Sequence, residues 1–313
     1  MTDFLSDARG RTSQIAVIGS LDYDGGVKQS QHLHPLALQG TALRPEALAG
    51  FAGLPITCIE WVDCVDSTNR VMMDLPLALS APEQPRLMLA ARQTAGRGRR
   101  GRSWLGEAPA CLAMSVCLHR PLIPGRQPPV GLPIALGVAV ARMLAAETDQ
   151  IGLKWPNDLQ RAGRKIAGML VEARHVADRE RIVIGLGLNW SQPDGVGDLL
   201  PGAGGLFESL PELSVRERIA GCLARAMIDA SIAFFADGLE PSLRNWSEFD
   251  VMHGREVLVF EGRSDPWSGI ADGLLADGSL RVRCGDQVRL VASGDVSVRD
   301  AATPRLNIAG VMN

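Results

Sequence analysis

The sequence lacks any Cys-x-x-Cys pair and any cluster of histidines, and only 4% of its residues are aromatic. Its six cysteines are scattered along the chain, and its five histidines show no spacing typical of zinc ligands. These absences argue against a disulfide framework and against a structural metal site. We therefore expect reduced thiols, most of them buried.

The sequence also lacks recognisable targeting and membrane segments. Its first residues, MTDFLSDARGR, carry acidic side chains and no apolar core, unlike a signal peptide. No apolar run approaches the roughly 20 residues that a helix needs to cross a bilayer. The sequence predicts a cytoplasmic protein that has no membrane partner.

The charge balance gives no sign of a nucleic-acid-coating protein. The formal net charge is -3 and the isoelectric point is about 6.0, although a local basic segment remains compatible with these values. Hydrophobic residues make up 46% and charged residues 21% of 313 residues, as in ordinary globular enzymes. This length suits one large domain and one small domain.

Pattern changes along the chain predict three regions. Residues 1–45 show no sustained period and are predicted to form a poorly structured or loosely packed extension. In residues 46–251, strands follow one another with few helices between them, which favours an α+β domain with a mixed or mostly antiparallel sheet and flanking helices. Its longest helix is predicted to begin at a capping box, Ser214-x-x-Glu217. Short strands around an Asp277-Gly278 turn predict a small SH3-like β domain over residues 252–313.

A loop rich in glycine and arginine carries the strongest chemical signal. Residues 96–101, GRGRRG, formally match the dinucleotide fingerprint, but residues 103–109 are a poor helix start and no βαβ unit surrounds them, so a nicotinamide site is not expected. Three arginines on a glycine-rich backbone can instead clamp phosphate oxygens, and such a loop is expected to become ordered when an anion neutralises it. A solvated basic loop, or one that touches nucleic acid, is the alternative.

Three other segments place polar or small residues where a ligand could bind. Residues 66–69, DSTN, form a strand-to-helix turn that is either a plain helix cap or a site for a polar ligand. After the turn at residues 154–158, KWPND, Lys165 enters an apolar strand, either on an exposed face or as a point cation for a carboxylate or phosphate. Residues 185–189, GLGLN, put glycines inside a strand, which weakens it unless a ligand approaches closely.

Taken together, five segments resemble the biotin–protein ligase family. They occur in the order typical of the family over roughly residues 56–190, and the small C-terminal β domain fits the same family. The resemblance implies the biotin/lipoate ligase-like catalytic fold with an added SH3-like barrel. The segments are DSTN at 66–69, QTAGRGRRGRSW at 93–104, KWPND at 154–158, GRKIAGMLVE at 163–172 and GLGLN at 185–189.

The resemblance also implies roles for individual residues. The biotin ureido ring would be held by Ser67, Thr68, Asn69 and Gln93, and the rest of the biotin site would comprise Arg97, Gly98, Arg99, Lys165 and Gly168. The ATP and adenylate site would comprise Arg97, Arg99, Arg100, Trp104, Asn157, Asp158, Gly187 and Asn189. The catalytic groups would be Arg97, Arg99 and Lys165, which gather the biotin carboxylate and the α-phosphate.

The implied reaction joins biotin to ATP with Mg²⁺, forms biotinyl-AMP, and transfers biotin to a lysine of a biotin carboxyl carrier domain. A monomer or weak homodimer is expected. Residues 1–45 show no helix-turn-helix pattern, so the non-repressor branch without DNA binding is expected. A lipoate–protein ligase-like enzyme and a non-catalytic biotin sensor are the alternatives.

Overall fold

The structure, a computed structural model, describes residues 3–6, 12–18, 54, 56, 58–75, 85–106, 108–123, 128–192, 202–261, 264–293 and 296–300. Strands dominate these residues and a few helices pack on them, which confirms the predicted α+β class. A short 3-10 helix spans Arg99–Gly101. The α-helices are α1 (Thr68–Asp74), α2 (Leu132–Ala145), α3 (Leu213–Asp237) and α4 (Glu240–Trp246).

Within the described residues, the larger sheet has nine strands in the order β1-β2-β3-β4-β5-β9-β8-β7-β6. Neighbours pair antiparallel except β2 with β3 and β3 with β4, so the sheet is mixed, as predicted. The strands are β1 (Asp3–Ser6), β2 (Thr12–Ile18), β3 (Cys58–Val65), β4 (Arg86–Gln93), β5 (Cys111–Pro121), β6 (Ile151–Lys154), β7 (Asp158–Arg161), β8 (Arg164–Val176) and β9 (Arg179–Asn189).

Alternation along the central strands divides this sheet into two different faces. One face carries the main core with α2 and α3. Four residues of β5 at alternate positions lie on this face: Leu112, Met114, Val116 and Leu118. The other face packs against α1 through a smaller cluster: Met72, Leu75, Met88, Cys117 and Val183. The N-terminus of α1 therefore lies over the face opposite the main core.

In the part of residues 252–313 that the structure describes, the C-terminal sheet has five antiparallel strands in the order β13-β12-β11-β10-β14. It joins the main core, since Trp155 donates its indole N–H to the carbonyl of Gly278 at 3.0 Å and both sheets contribute to one buried cluster. The strands are β10 (Glu256–Glu261), β11 (Trp267–Leu274), β12 (Leu280–Cys284), β13 (Gln287–Val291) and β14 (Val296–Asp300). The division at residues 251 and 252 into separate domains stays a prediction.

Two expectations need revision. The α3 helix begins at Leu213 after the N-cap residue Glu212 and has no side-chain cap bond, so the capping box at Ser214 is wrong: the helix starts one residue earlier and Ser214 lies inside it. Within the expected N-terminal extension, β1 and β2 form strands, and β2 pairs with β3. The remainder of residues 1–45 lies outside the described residues.

One helix among the described residues, α3, is long and apolar enough to cross a membrane by length and composition alone. Nearly half of its most apolar window is buried inside the protein. Its buried side chains, among them Ile219, Leu223 and Met227, belong to the main core beside α2. This packing is that of a core helix.

Candidate active site

The site lies on the α1 face of the large sheet, where small residues from three adjacent strands leave room above the backbone. Ser115 of β5 pairs with Gly185 of β9, and Gly187 pairs with Gly168 of β8. A Cβ atom on Gly185 would overlap Oδ1 of Asn69, and one on Gly187 would overlap the Trp104 indole. The two glycines of GLGLN are therefore needed for close approach by neighbouring protein groups.

A polar pocket forms at the start of α1. Ser67, Thr68 and Asn69 are all buried, and Ser67 occupies the N-cap position in extended backbone without a side-chain cap bond. The backbone N–H and the hydroxyl of Thr68 instead both donate to Oε1 of Gln93, at 2.8 and 3.1 Å. This arrangement brings the four predicted biotin residues together and argues against a plain helix cap.

Ser115 completes this pocket, and sequence analysis missed it. Its hydroxyl oxygen is fully buried and lies 2.7 Å from both Oγ1 of Thr68 and Oδ1 of Asn69. One hydroxyl has one hydrogen, and Thr68 already donates to Gln93, so Ser115 satisfies only one of the two acceptors at a time. The available signal was a lone serine inside the apolar run of β5.

Glu172 is a second residue that sequence analysis passed over. Its Oε2 accepts a hydrogen bond from Nδ2 of Asn69 at 2.9 Å, and its Oε1 lies 3.0 Å from Nη1 of Arg97. The carboxylate thus stands between the polar pocket and the basic loop. The signal was its place as the last residue of the GRKIAGMLVE segment.

The basic loop is anchored at its base and folds back on itself. Backbone N–H groups of Thr94 and Ala95 donate to the carbonyls of Val65 and Asp66, next to the polar pocket. The loop then closes as a hairpin, in which the backbone N–H of Trp104 donates to the carbonyl of Gly96 at 2.8 Å. The loop therefore extends from the base of the pocket and returns with Trp104 over the sheet.

The three loop arginines point to different surroundings. Arg97 pairs with Glu172, whereas Arg99 donates to Oδ1 of Asn157 at 3.1 Å and to the hydroxyl of Ser293 at 3.4 Å. Arg100 is exposed, at a positive φ of 60°. The structure thus brings Arg97 and Arg99 to the site and leaves Arg100 at its outer edge.

A second cationic group, Lys165 of β8, lies beside the returning end of the loop. Nζ of Lys165 lies 2.7 Å from Oδ1 of Asp158 and 5.8 Å from the centre of the Trp104 ring. Gly168 adjoins it, since a Cβ atom there would be 3.2 Å from that ammonium group. The indole N–H of Trp104 is buried without a hydrogen-bond partner. A cation, a carboxylate and an unpaired buried donor therefore meet beside Gly187.

The two predicted asparagines are already bonded to protein groups. Asn157 donates to the carbonyl of Met169 at 2.5 Å while accepting from Arg99. Asn189 is buried, accepts from the Cys111 thiol at 3.2 Å and donates to the carbonyl of Gly204 at 3.0 Å. Asn157 therefore positions the loop residue Arg99. The two ends of the Asn189 amide connect β9 to Cys111 at the start of β5 and to the segment at Gly204.

The opposite end of α1 is held by a buried arginine. Arg181 donates to the carbonyls of Met73 and Leu75, at 2.7 and 2.6 Å, and to Nε2 of His119 at 3.0 Å. Burial lowers the pKa of His119 to about 4, and the positive charge of Arg181 adds to this effect. Burial also raises the pKa of the Cys117 thiol to about 11, although Arg181 opposes the shift. His119 is therefore neutral and can accept from Arg181.

Comparisons with known proteins cover the same region. The model of the biotin/lipoate A/B protein ligase family matches residues 61–189, which contain every site residue predicted from the sequence. The bifunctional ligase/repressor BirA of Escherichia coli strain K12 is 31% identical over 242 residues, 76% of this chain and 73% of that protein. The biotin–[acetyl-CoA-carboxylase] ligase of Mycobacterium tuberculosis is 32% identical over 67% of this chain and 77% of that protein.

A solved structure of a biotin protein ligase is also similar to this chain. Biotin protein ligase from Aquifex aeolicus, in complex with biotin and ATP, resembles this chain with a TM-score of 0.62 and 25% identity. The similarity covers 78% of this chain and 99% of that structure.

Proposed function

The chain belongs to the biotin–protein ligase family, and from this premise we propose that it activates biotin with ATP and attaches it to a lysine of a biotin carboxyl carrier domain. The observation that carries the proposal is the placement of a neutral polar pocket beside a cationic groove on one sheet face. The pocket is formed by Thr68, Asn69 and Gln93, and the groove by Arg97 and Lys165.

The polar pocket suits the ureido ring of biotin. A ring with two N–H donors and one carbonyl needs acceptors and donors at fixed positions. The buried Ser67, Thr68 and Asn69, with the half-buried Gln93, offer both kinds. Analogues that lack one of these groups would leave a buried protein group unpaired, at about 1–3 kcal/mol. Gly98 and Gly168 complete the proposed biotin site by allowing close backbone approach.

The groove suits the biotin carboxylate and the α-phosphate of ATP. Both ligands are anionic there, and Arg97, Arg99 and Lys165 reduce their mutual repulsion and stabilise charge on the α-phosphoryl group as pyrophosphate leaves. Each of these cations has a protein partner that an anion can replace or share. Trp104 and Gly187 provide an adjacent apolar surface for the adenylate. Arg100, Asn157, Asp158 and Asn189 stay in the proposed ATP site.

We propose Mg²⁺ as the ion that accompanies ATP. The residues that the structure describes hold no cluster of three His, Cys, Asp or Glu side chains suited to a metal. Mg²⁺ commonly binds through one or two carboxylates plus substrate phosphates and keeps several waters, so a dedicated cluster is not required. Asp158, next to Lys165, is the carboxylate that would hold it, and the ion would neutralise phosphate charge.

The second step needs no nucleophile from this chain. The lysine amine of the carrier attacks the carbonyl of biotinyl-AMP, the bond to the phosphate oxygen breaks, and AMP leaves with that oxygen. The mixed anhydride also reacts with water, so the loop over the site has to exclude solvent until the carrier docks. Positioning of the two reactants supplies much of the rate, up to about 7–11 kcal/mol in well-oriented model systems.

Mass spectrometry of a carrier domain tests the proposal. Incubation with the chain, biotin and MgATP should add the mass of one biotinyl group, and labelled lipoate offered in competition should not be transferred. The addition should be lost in Lys165→Ala and in Arg99→Ala. Arg244→Ala, which removes an exposed arginine of α4, should label like the wild-type chain. Wild-type labelling rates in both site variants would refute the assigned roles.

Three accompanying proposals concern the setting of the enzyme. We propose a soluble cytoplasmic protein, a monomer or weak homodimer, and the non-repressor branch that binds no DNA. Similarity to ligases supports the first proposal, and similarity to a biotin–[acetyl-CoA-carboxylase] ligase supports the third. Cell fractionation, sedimentation velocity and a gel shift with operator-like DNA check them in turn.

A further inference from the structure

We infer that Glu172 is a positioning residue that ties the biotin pocket to the basic loop by holding Asn69 with one oxygen and Arg97 with the other. The inference rests on the proposed function, because it assigns those two partners to biotin recognition and to anion binding. It adds a residue that the family resemblance did not assign, and it gives the two halves of the site a direct physical link.

Geometry places Glu172 where it can bridge both partners. On β8 it shares a face with Gly168 and Leu170, directed toward α1 and away from the main core. Its side chain is 24% exposed, so it lies at the rim of the buried pocket. Its Oε2 is 2.9 Å from Nδ2 of Asn69, and its Oε1 is 3.0 Å from Nη1 of Arg97.

The bond to Asn69 fixes which end of that amide is offered to a ligand. Both hydrogens on Nδ2 are used, by the carbonyl of Leu170 at 3.3 Å and by Glu172, and neither partner can itself donate. Oδ1 therefore faces Ser115 and keeps one lone pair for a ligand N–H. Without the carboxylate, one amide hydrogen loses its partner and the orientation of Asn69 is less well determined.

The bond to Arg97 gives the loop a replaceable anchor. The Arg97 side chain is 50% exposed, and ion pairs this close to solvent are weak. A ligand carboxylate or phosphate can therefore replace Glu172 as the partner of Arg97, because breaking this exposed ion pair costs little free energy. In the empty protein, Glu172 keeps the loop cation close to the pocket and shields it from the other loop arginines.

Two substitutions separate these roles. Glu172→Gln keeps an acceptor oxygen for Asn69 but removes the charge that holds Arg97, whereas Glu172→Ala removes both interactions. Calorimetry with biotin should show binding within about twofold of wild type for Glu172→Gln and at least about tenfold weaker for Glu172→Ala, as expected when a charge-assisted bond is lost. Glu240→Gln, which breaks an exposed pair with Arg244 on α4, is the matched control.

The rate at which trypsin cleaves the basic loop is a second measurement. A merely structural role of Glu172 would not change this rate. Without ligand, trypsin should cut the loop at its arginines faster in Glu172→Gln than in the wild-type chain or in Glu240→Gln. Saturating biotin and ATP should bring the variants to equal protection, because substrate anions then hold Arg97. Equal cleavage of the empty proteins would overturn the proposed anchoring.

A double-mutant cycle tests whether Glu172 acts through Asn69. In an Asn69→Ala background, Glu172→Ala should weaken biotin binding much less than it does alone. Additive losses would overturn the inference, as would wild-type affinity in Glu172→Ala. A wild-type chain that bound no biotin would instead refute the proposed function, so the two failures are distinguishable. Circular dichroism confirms that each variant is folded.

Discussion

Adding one methyl group at either glycine of β9 should damage one half of the site and spare the other. Neither Gly185 nor Gly187 has a positive φ, so alanine fits the backbone at both positions. A Cβ atom on Gly185 would lie 2.9 Å from Cγ of Asn69, and one on Gly187 would lie 2.2 Å from Cε2 of Trp104. Ordinary carbon contacts are about 3.5–4.0 Å, so Asn69 must retreat by roughly 1 Å and the Trp104 indole by roughly 1.5 Å.

Such a shift breaks hydrogen bonds at Asn69, since they weaken steeply beyond their normal length. The loss of one buried polar contact to biotin is about 1–3 kcal/mol, or about 5- to 150-fold in Kd. Gly185→Ala should therefore weaken biotin binding by that factor and change ATP binding little. Gly187→Ala moves the indole, so it should weaken ATP binding and change biotin binding little.

Titration calorimetry with each ligand alone measures both effects, and each variant serves as the control for the other. Overpacking costs about 1–3 kcal/mol and is only partly offset by the lower entropy of the unfolded chain, so urea unfolding is measured beside the calorimetry to show that both variants are folded. The reasoning would be refuted if Gly185→Ala bound biotin as tightly as the wild-type chain. It would also be refuted if both folded variants lost both ligands equally.

Three further predictions concern stability and pH. Ser115→Ala leaves a buried acceptor without its donor, so urea unfolding should show a loss of about 1–3 kcal/mol, together with weaker biotin binding. Arg181→Met removes the donor to the Leu75 carbonyl and one of the two arginine donors to the Met73 carbonyl, which also accepts from Arg174, so it should lower the free energy of unfolding by about 1–3 kcal/mol. The pKa of His119 is lowered from 6.5 to about 4, so the unfolded state binds the proton more readily and stability should fall as pH drops through this window. Urea unfolding of His119→Gln should show a flatter pH dependence there, and an unchanged slope would contradict the assignment.

Local patterns were enough to place Lys165 and the glycines of GLGLN in strands, which the structure has as β8 and β9. In β5, Leu112 and Met114 lie on the core face and alternate with smaller residues, a period that can be read directly from the sequence. The same alternation puts Ser115 on the other face, but its role depends on α1, which lies more than forty residues earlier in the chain. A pattern within one strand cannot show which helix covers it.

Side-chain partners were the least predictable feature. Asn189 was expected in the ATP and adenylate site, and that role stays a prediction, although Cys111 and Gly204 occupy its amide in the structure. Glu172 is the last residue of the GRKIAGMLVE segment, but only the fold shows that it lies between Asn69 and Arg97. The short strand β7 was missed because four residues carry too little periodicity to distinguish a strand from a turn.

Formation of biotinyl-AMP in the absence of any carrier tests the central claim most directly, since it needs both the polar pocket and the cationic groove. With biotin and ATP labelled at the α-phosphate, thin-layer chromatography should show label in biotinyl-AMP with the wild-type chain, and none with Lys165→Ala, although that variant stays folded. No biotinyl-AMP from the wild-type chain, or equal amounts from the variant, would contradict this account.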